Sequence, residues 1–196
     1  MHVAIVKYNA GNTTSVAHAL RRVGVVAELT DDPARLQAAD RVIFPGQGEA
    51  STAMTYLRQR GLDQVLAGLT QPFLGICLGL QLMGTHSEEA DTPCLNLVPV
   101  QVRRFPPADK VPHMGWNTLD TAQGPLFDGI APGTHFYFVH SYYAELSPAH
   151  TLAQCTYQVP FSAALQRGNF YAVQFHPEKS SQAGERLLRN FLALPA

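Results

Sequence analysis

Charge is what this sequence has least of. Asp, Glu, Lys and Arg make up 15% of its 196 residues, against about 25% in ordinary soluble proteins. Neither sign prevails: 14 Lys and Arg face 15 Asp and Glu, for a formal net charge of -1. Bulk phosphate neutralisation needs clustered basic residues, so a nucleic-acid binder working by electrostatics is excluded. So is a disordered acidic tail. Cysteine is also scarce. Cys77, Cys94 and Cys155 are an odd number with no CxxC pair, so neither a disulfide framework nor a metal site is expected. A reducing cytoplasmic compartment is the expectation. No apolar run approaches the roughly 18 residues of a membrane span. The longest candidate, Pro72–Gly84, is broken by Gly75, Gly79 and Gln81. Met1-His2-Val3-Ala4-Ile5-Val6 lacks a basic leader and runs straight into a strand-like segment, so no signal peptide is expected.

What is present is apolar: hydrophobic residues make up 46%. With so little charge, such a chain buries a large core, and its length suits one domain of the usual 100–200 residues or so. Val3–Tyr8, Val25–Leu29, Val42–Phe44 and Phe73–Ile76 read as strands. Helices separate them. One carries Val16, Leu20 and Val23 on a face and stops at Gly24. A short one is capped by Asp31 or Asp32 with Pro33 in its first turn. Another runs from Ser51 to Arg60 and stops at Gly61. Leu78–Met83 begins a further helix. This alternation predicts an α/β fold, a single three-layer domain with a mainly parallel central sheet flanked by helices. The second half is rich in antiparallel strands, expected at Asn96–Phe105, Trp116–Asp120, Phe136–His140, Leu152–Tyr157, Ser162–Gln166 and Tyr171–Phe175. Arg167-Gly168-Asn169 reads as a hairpin turn. A last amphipathic helix carries Leu187, Leu188, Phe191 and Leu192. No linker or repeat divides residues 1–196.

Three features at strand ends carry chemistry. Gly75-Ile76-Cys77-Leu78-Gly79 follows a strand and opens a helix, the form of a nucleophile elbow. The helix start favours a thiolate. By itself the motif is equally a buried cysteine between glycines that let helix and strand pack. Pro45-Gly46-Gln47-Gly48 ends the third strand, where a loop can offer a backbone N–H, that of Gln47, to an oxyanion alongside the N–H of Leu78. Taken singly it is an ordinary tight turn. His176-Pro177-Glu178 ends the last strand. Pro177 biases His176 to extended geometry, and residues two apart in an extended chain share a side. Glu178 can then orient the imidazole as the acid of a triad does. Cys77 and His176 lie 99 positions apart, so their meeting is a property of the fold.

These residues resemble the triad-type (class I) glutamine amidotransferases. Gly75 to Gln81 is similar to that family's nucleophile motif, and His176-Pro177-Glu178 to its base-and-acid motif. Within the family, the glutaminase subunits of imidazole glycerol phosphate synthase are similar nearly end to end. That similarity includes Lys7-Tyr8-Asn9-Ala10-Gly11-Asn12, Phe44-Pro45-Gly46-Gln47-Gly48-Glu49, Pro112-His113-Met114-Gly115-Trp116-Asn117 and Tyr137-Phe138-Val139-His140-Ser141-Tyr142. Two positions differ from the usual pattern. Lys7 stands where many relatives have Asp, and Gln47 where a small apolar residue is usual. The resemblance implies that Cys77 attacks the amide of L-glutamine, that His176 protonates the departing ammonia, and that water hydrolyses a glutamyl thioester. Gly46, Gln81, Glu89, His140, Ser141 and Tyr142 would hold the substrate. No cofactor and no metal are implied. The ammonia would pass to a separate (β/α)8-barrel cyclase subunit in a heterodimer of histidine biosynthesis, with Trp116 at the interface. The Gly46–Gly48 loop is expected to be inactive without that partner. His135 and His140, five apart on one strand, point to opposite sides. Three readings stand side by side: this glutaminase, a stand-alone cysteine peptidase or γ-glutamyl hydrolase on the same fold, and a non-catalytic docking subunit.

Overall fold

The computed structural model describes residues 1–9 and 12–195. The turn expected at Asn9-Ala10-Gly11-Asn12 falls partly on Ala10 and Gly11, which lie outside the described residues. The first half runs β1 (Val3–Val6), α1 (Thr13–Arg22), β2 (Glu28–Thr30), α2 (Pro33–Ala38), β3 (Arg41–Phe44), α3 (Ala50–Gln59), α4 (Leu62–Ala67), β4 (Phe73–Ile76) and α5 (Leu78–Met83). Asp32 is the cap of α2. Its carboxylate accepts from the amides of Ala34 and Arg35, and Pro33 fills the first helical position, where its missing N–H costs nothing. β2 begins three residues later than expected, since Val26 is exposed ahead of the sheet. Gly61, at φ 65°, follows the end of α3 and is also the residue from which α4 starts. The sequence reading missed α4, because six residues are too few to display helical periodicity.

The second half runs β5 (His86–Ser87), β6 (Thr92–Pro93), β7 (Gln101–Arg104), β8 (His113–Thr118), β9 (Thr121–Ala122), β10 (His135–His140), β11 (Tyr142–Ala144), β12 (Thr151–Tyr157), β13 (Val159–Arg167), β14 (Phe170–Val173) and α6 (Ser181–Leu192). The strand expected over Asn96–Phe105 contracts to β7. Asn96 takes a left-handed φ of 55°, and Pro99 has no N–H to give a ladder. The expected hairpin forms: Arg167 pairs with Phe170 across Gly168 and Asn169, with Gly168 at φ 58°.

β2, β1, β3, β4 and β14 lie side by side and parallel. The same sheet continues through β13, β11 and β7 in antiparallel steps, while β8 and β10 form a separate antiparallel ribbon. Alternate residues of each parallel strand feed different cores. Val3, Ile5, Ile43, Leu74, Ile76 and Val173 pack with α1 and α6, and Phe136 and Phe138 of the ribbon join them. Ala4, Val6, Val42, Phe44, Phe73 and Ala172 pack with α2, α3, α4 and α5. That period-2 split is why these strands read as unbroken apolar runs. β4 and β14 pair in parallel with Ile76 opposite Val173. Their carboxyl ends therefore meet at one edge of the sheet, the usual place for a site in such folds. Among the described residues no helix is long and apolar enough to cross a membrane.

Candidate active site

Cys77 sits between β4 and α5 with φ 50° and ψ −101°, a conformation that L residues avoid. Its N–H donates to the Val173 carbonyl at 2.8 Å, which ties the bend to β14. The glycines around it act through packing. A methyl group on Gly79 would lie 2.7 Å from the Phe44 carbonyl oxygen, and one on Gly75 would lie 2.7 Å from the Gly79 backbone. A methyl on Gly46 would lie 1.7 Å from the Ile76 oxygen. The elbow and the loop after β3 are thus in backbone contact.

His176 and Glu178 stand at the same edge. His176 Nδ1 lies 2.7 Å from Glu178 Oε1, with each side chain 1% exposed. The local geometry differs from the extended run expected there. Pro177–Lys179 form a single 3-10 turn, so Glu178 reaches back to the ring through a turn, which Pro177 at its first position suits. Ser180 Oγ donates to the His176 carbonyl at 2.7 Å and accepts from the Tyr137 N–H at 3.0 Å. Asn12 Nδ2 donates to Glu178 Oε1 at 3.3 Å. Burial pulls the His176 pKa down, but the nearby Cys77 sulfur and the Glu178 carboxylate outweigh it and raise it to about 10. The other ring nitrogen, Nε2, has no aligned hydrogen-bond partner among the described residues.

A cavity of about 280 Å³ opens at this edge. Of the residues singled out in the sequence, Gly46, Gln47, Cys77, Leu78, Gln81, Glu89, His140, Ser141, Tyr142 and His176 all line it, joined by Gly48, Pro112 and Val139. Glu178 is not part of the lining; it contacts His176. The Tyr8 hydroxyl meets two carbonyls of the loop after β3, Pro45 O at 3.0 Å and Gln47 O at 2.8 Å. Those contacts hold the peptides on either side of the Gly46–Gln47 peptide, whose N–H is the expected oxyanion donor. Gln81 Nε2 donates to Tyr142 O at 2.9 Å and to Gln174 Oε1 at 3.3 Å. One Glu89 carboxylate oxygen accepts from the Ala50 N–H at 2.7 Å, at the start of α3, and burial raises the Glu89 pKa. The side chain of Lys7 is exposed, as is that of Gln47.

Gln174 was missed. It is fully buried, and its Nε2 lies 3.5 Å from Cys77 Sγ. Its position two residues before His176 was the available signal. Trp116 does not line the cavity. It is 53% exposed and Met114 55%, both on β8, and Trp116 packs edge-on against Tyr137 with ring centres 5.9 Å apart. His135 is exposed and His140 buried, on opposite sides of β10. Among the described residues no three His, Cys, Asp or Glu side chains are grouped to hold a metal ion.

The arrangement brings a thiol, an imidazole backed by a carboxylate, and a polar cavity together, as acyl transfer through a thioester requires. The family model for class-I glutamine amidotransferases matches residues 4–194. The imidazole glycerol phosphate synthase subunit HisH of Bacteroides thetaiotaomicron is 55% identical over 197 residues, covering 99% of this chain and 100% of that protein. The subunit of the same name from Bacteroides fragilis is 53% identical over 197 residues, with the same coverage. A solved glutamine amidotransferase superposes with a TM-score of 0.76 over 96% of each chain, at 22% identity, a likeness of fold alone.

Proposed function

The chain belongs to the class-I glutamine amidotransferase family, among the HisH subunits of imidazole glycerol phosphate synthase, and on that premise we propose that it hydrolyses L-glutamine through Cys77, His176 and Glu178. The ammonia passes to a separate (β/α)8-barrel cyclase, which makes imidazole glycerol phosphate and aminoimidazole carboxamide ribotide for histidine biosynthesis. One observation carries the reading: Cys77 and His176, 99 positions apart, line one cavity, with Glu178 2.7 Å from the imidazole.

The Cys77 sulfur attacks the side-chain amide carbon as its thiol proton passes to His176, which Glu178 orients. The negative oxygen that forms is met by the backbone N–H groups of Leu78 and Gln47. His176 gives its proton to the amide nitrogen as the C–N bond breaks. Ammonia leaves, and a γ-glutamyl thioester remains on Cys77. Water, deprotonated by His176, then attacks the thioester and releases glutamate. The cavity of about 280 Å³ suits a single amino acid. Gln81, Tyr142, His140, Ser141 and Gly46 hold the substrate, and Glu89 pairs with its α-ammonium. The Gly46–Gly48 loop sets the rate. Tyr8 fixes the carbonyls on either side of the Gly46–Gln47 peptide, so reorientation of that one peptide turns the Gln47 N–H toward or away from the oxyanion. Met114 and Trp116 form part of the face that docks the cyclase, since exposed large apolar side chains on a rigid ribbon make good interface anchors.

The test is co-expression with the barrel cyclase. The pair is expected to copurify and to hydrolyse glutamine much faster than the chain alone. Cys77→Ala is expected to abolish glutamine-dependent synthesis while ammonia-dependent synthesis continues. A free chain as fast as the complex would overturn the loop's role. Cleavage of peptides or larger γ-glutamyl compounds without a partner would favour the stand-alone hydrolase.

A further inference from the structure

The string Pro112-His113-Met114-Gly115-Trp116-Asn117 contains two residues that the chemistry above leaves unused, His113 and Asn117. His113 lies directly opposite His140 in the ribbon of β8 and β10. Opposed residues in an antiparallel pair bring their side chains together, and here the two imidazoles meet, with His113 Nδ1 3.0 Å from His140 Nε2. Both rings are buried. His113 is stacked between Tyr157, with ring centres 4.1 Å apart and planes at 14°, and Phe138, at 4.8 Å and 24°.

Only one distribution of protons satisfies every contact. The Tyr142 carbonyl can only accept, and His140 Nδ1 lies 2.7 Å from it. His140 therefore carries hydrogen on Nδ1. With the ring neutral, its Nε2 accepts, and His113 must donate from Nδ1. His113 Nε2 is then an acceptor, and it faces the amide nitrogen of Asn117 at 3.3 Å. The Asn117 amide is itself fixed the right way round. Its oxygen accepts from the Thr118 N–H at 2.8 Å, and its nitrogen also donates to Thr156 O at 3.2 Å. Donation thus runs one way, from Asn117 to His113 to His140 to the Tyr142 carbonyl. That carbonyl receives a second hydrogen bond from Gln81.

We propose that His113 and Asn117 are positioning residues for the glutamine pocket: they lock His140 in its Nδ1–H tautomer and so hold the Tyr142 carbonyl and Gln81 in register. The proposal rests on the reading of this cavity as the glutamine site. With the chain intact, neither ring can take a second proton without setting two N–H groups against each other. Burial pushes the His113 pKa down to about 4 and that of His140 to about 3. The ionisable groups packed around the pair are Tyr157, stacked on His113, and His176, whose charge further disfavours a cation at His140. Phe105, Phe138 and Phe161 complete the surroundings. Without His113, His140 Nε2 loses its donor, and only the Tyr142 carbonyl is left to hold the proton on Nδ1, so the Nε2–H tautomer becomes accessible. Its bare Nδ1 would then oppose the Tyr142 oxygen and push apart the segment that lines the cavity.

The direct readout is nitrogen-15 NMR of the histidine rings in the full chain. Both His113 and His140 are expected neutral, with hydrogen on Nδ1, from pH 5 to pH 8. An Nε2–H tautomer or a protonated ring in either residue at pH 6 would overturn the proposal. Asn117→Asp replaces the donor by an acceptor and is expected to draw a proton onto His113 Nε2; an unchanged His113 signal would count against the chain. In the complex with the cyclase, His113→Phe keeps the stacking but removes the donor. It is expected to raise the KM for glutamine about 10-fold, as loss of one buried hydrogen bond does, with kcat and ammonia-driven synthesis little changed. His113→Asn can place an amide N–H where Nδ1 stood and is expected to restore KM. A His113→Phe complex with wild-type KM, or an Asn variant as impaired as Phe, would overturn the proposal. A wild-type complex that does not hydrolyse glutamine would instead sink the functional reading, and the NMR result would still decide the proton arrangement.

Discussion

Gln174 Nε2 lies 3.5 Å from Cys77 Sγ, and Gln174 Oε1 accepts from Gln81 at 3.3 Å. One buried amide thus joins the proposed nucleophile to a residue proposed to bind substrate. A donor aimed at sulfur stabilises thiolate over thiol. Gln174→Met preserves length and removes the donor. It is expected to slow alkylation of Cys77 by iodoacetamide at neutral pH about 3–10-fold, the effect of one hydrogen bond. An unchanged alkylation rate would show that the contact does nothing for the sulfur.

Glu178→Gln keeps the shape of the proposed triad and replaces its carboxylate by an amide. Neutralising a group that orients and charges a catalytic histidine is expected to lower kcat for glutamine hydrolysis about 10²–10⁴-fold. The pH dependence has a definite sign. The His176 pKa is raised from its ordinary 6.5 to about 10. The stability it contributes is therefore full below pH 6.5 and lost as pH rises through about 10. Wild-type denaturation midpoints are expected to fall across that window, and the glutaminase profile to decline at its upper end. In Glu178→Gln both changes are expected to move toward neutrality. Identical profiles for the two proteins would show that Glu178 does not set the proton affinity of His176.

Gly184, on the first turns of α6, faces the turn that carries Glu178. A methyl group there would lie 1.9 Å from the Pro177 carbonyl oxygen. Gly184→Ala has to displace either α6 or the Pro177–Lys179 turn. A loss of about 1–3 kcal/mol in urea denaturation is expected from overpacking, together with reduced kcat. Full stability and full activity would mean that the turn moves without consequence.

Trp116→Ala removes an exposed aromatic from β8. As an interface anchor it is expected to weaken association with the cyclase about 30-fold or more, equivalent to roughly 2 kcal/mol. The melting temperature of the isolated chain is expected to fall by only a few degrees or so, since the half-exposed Trp116 loses just its edge-on contact with Tyr137. Titration calorimetry against the barrel protein checks this, and unchanged affinity would remove Trp116 from the interface.

Much of the site was legible because its parts sit at strand ends, where apolar runs stop abruptly. The elbow at Cys77 and the glycines after Phe44 mark such stops; β4 spans the expected residues and α5 begins where the pattern places it. What joins the parts is long-range pairing. Nothing near Cys77 in the sequence announces that β14 lies beside β4, yet that register brings His176 to it. Buried polar partners were harder to see. Gln174 follows the apolar residues of β14 without any local motif, and the His113–His140 contact depends on the register of β8 against β10. Short elements escaped for a different reason. β5, β6 and β9 have two residues each, too few for a period, and owe their form to neighbouring strands.

The central claim is tested most directly by treating the chain, in complex with the cyclase, with an electrophilic glutamine analogue and mapping the adduct by mass spectrometry. Burial pushes the Cys94 thiol up to about 11 and the Cys155 thiol up to about 12, which leaves both poor nucleophiles at neutral pH. A single adduct on Cys77, suppressed by excess glutamine and slowed in Glu178→Gln, is the expected result. Adducts on Cys94 or Cys155 with Cys77 untouched, or labelling indifferent to glutamine, would contradict the account.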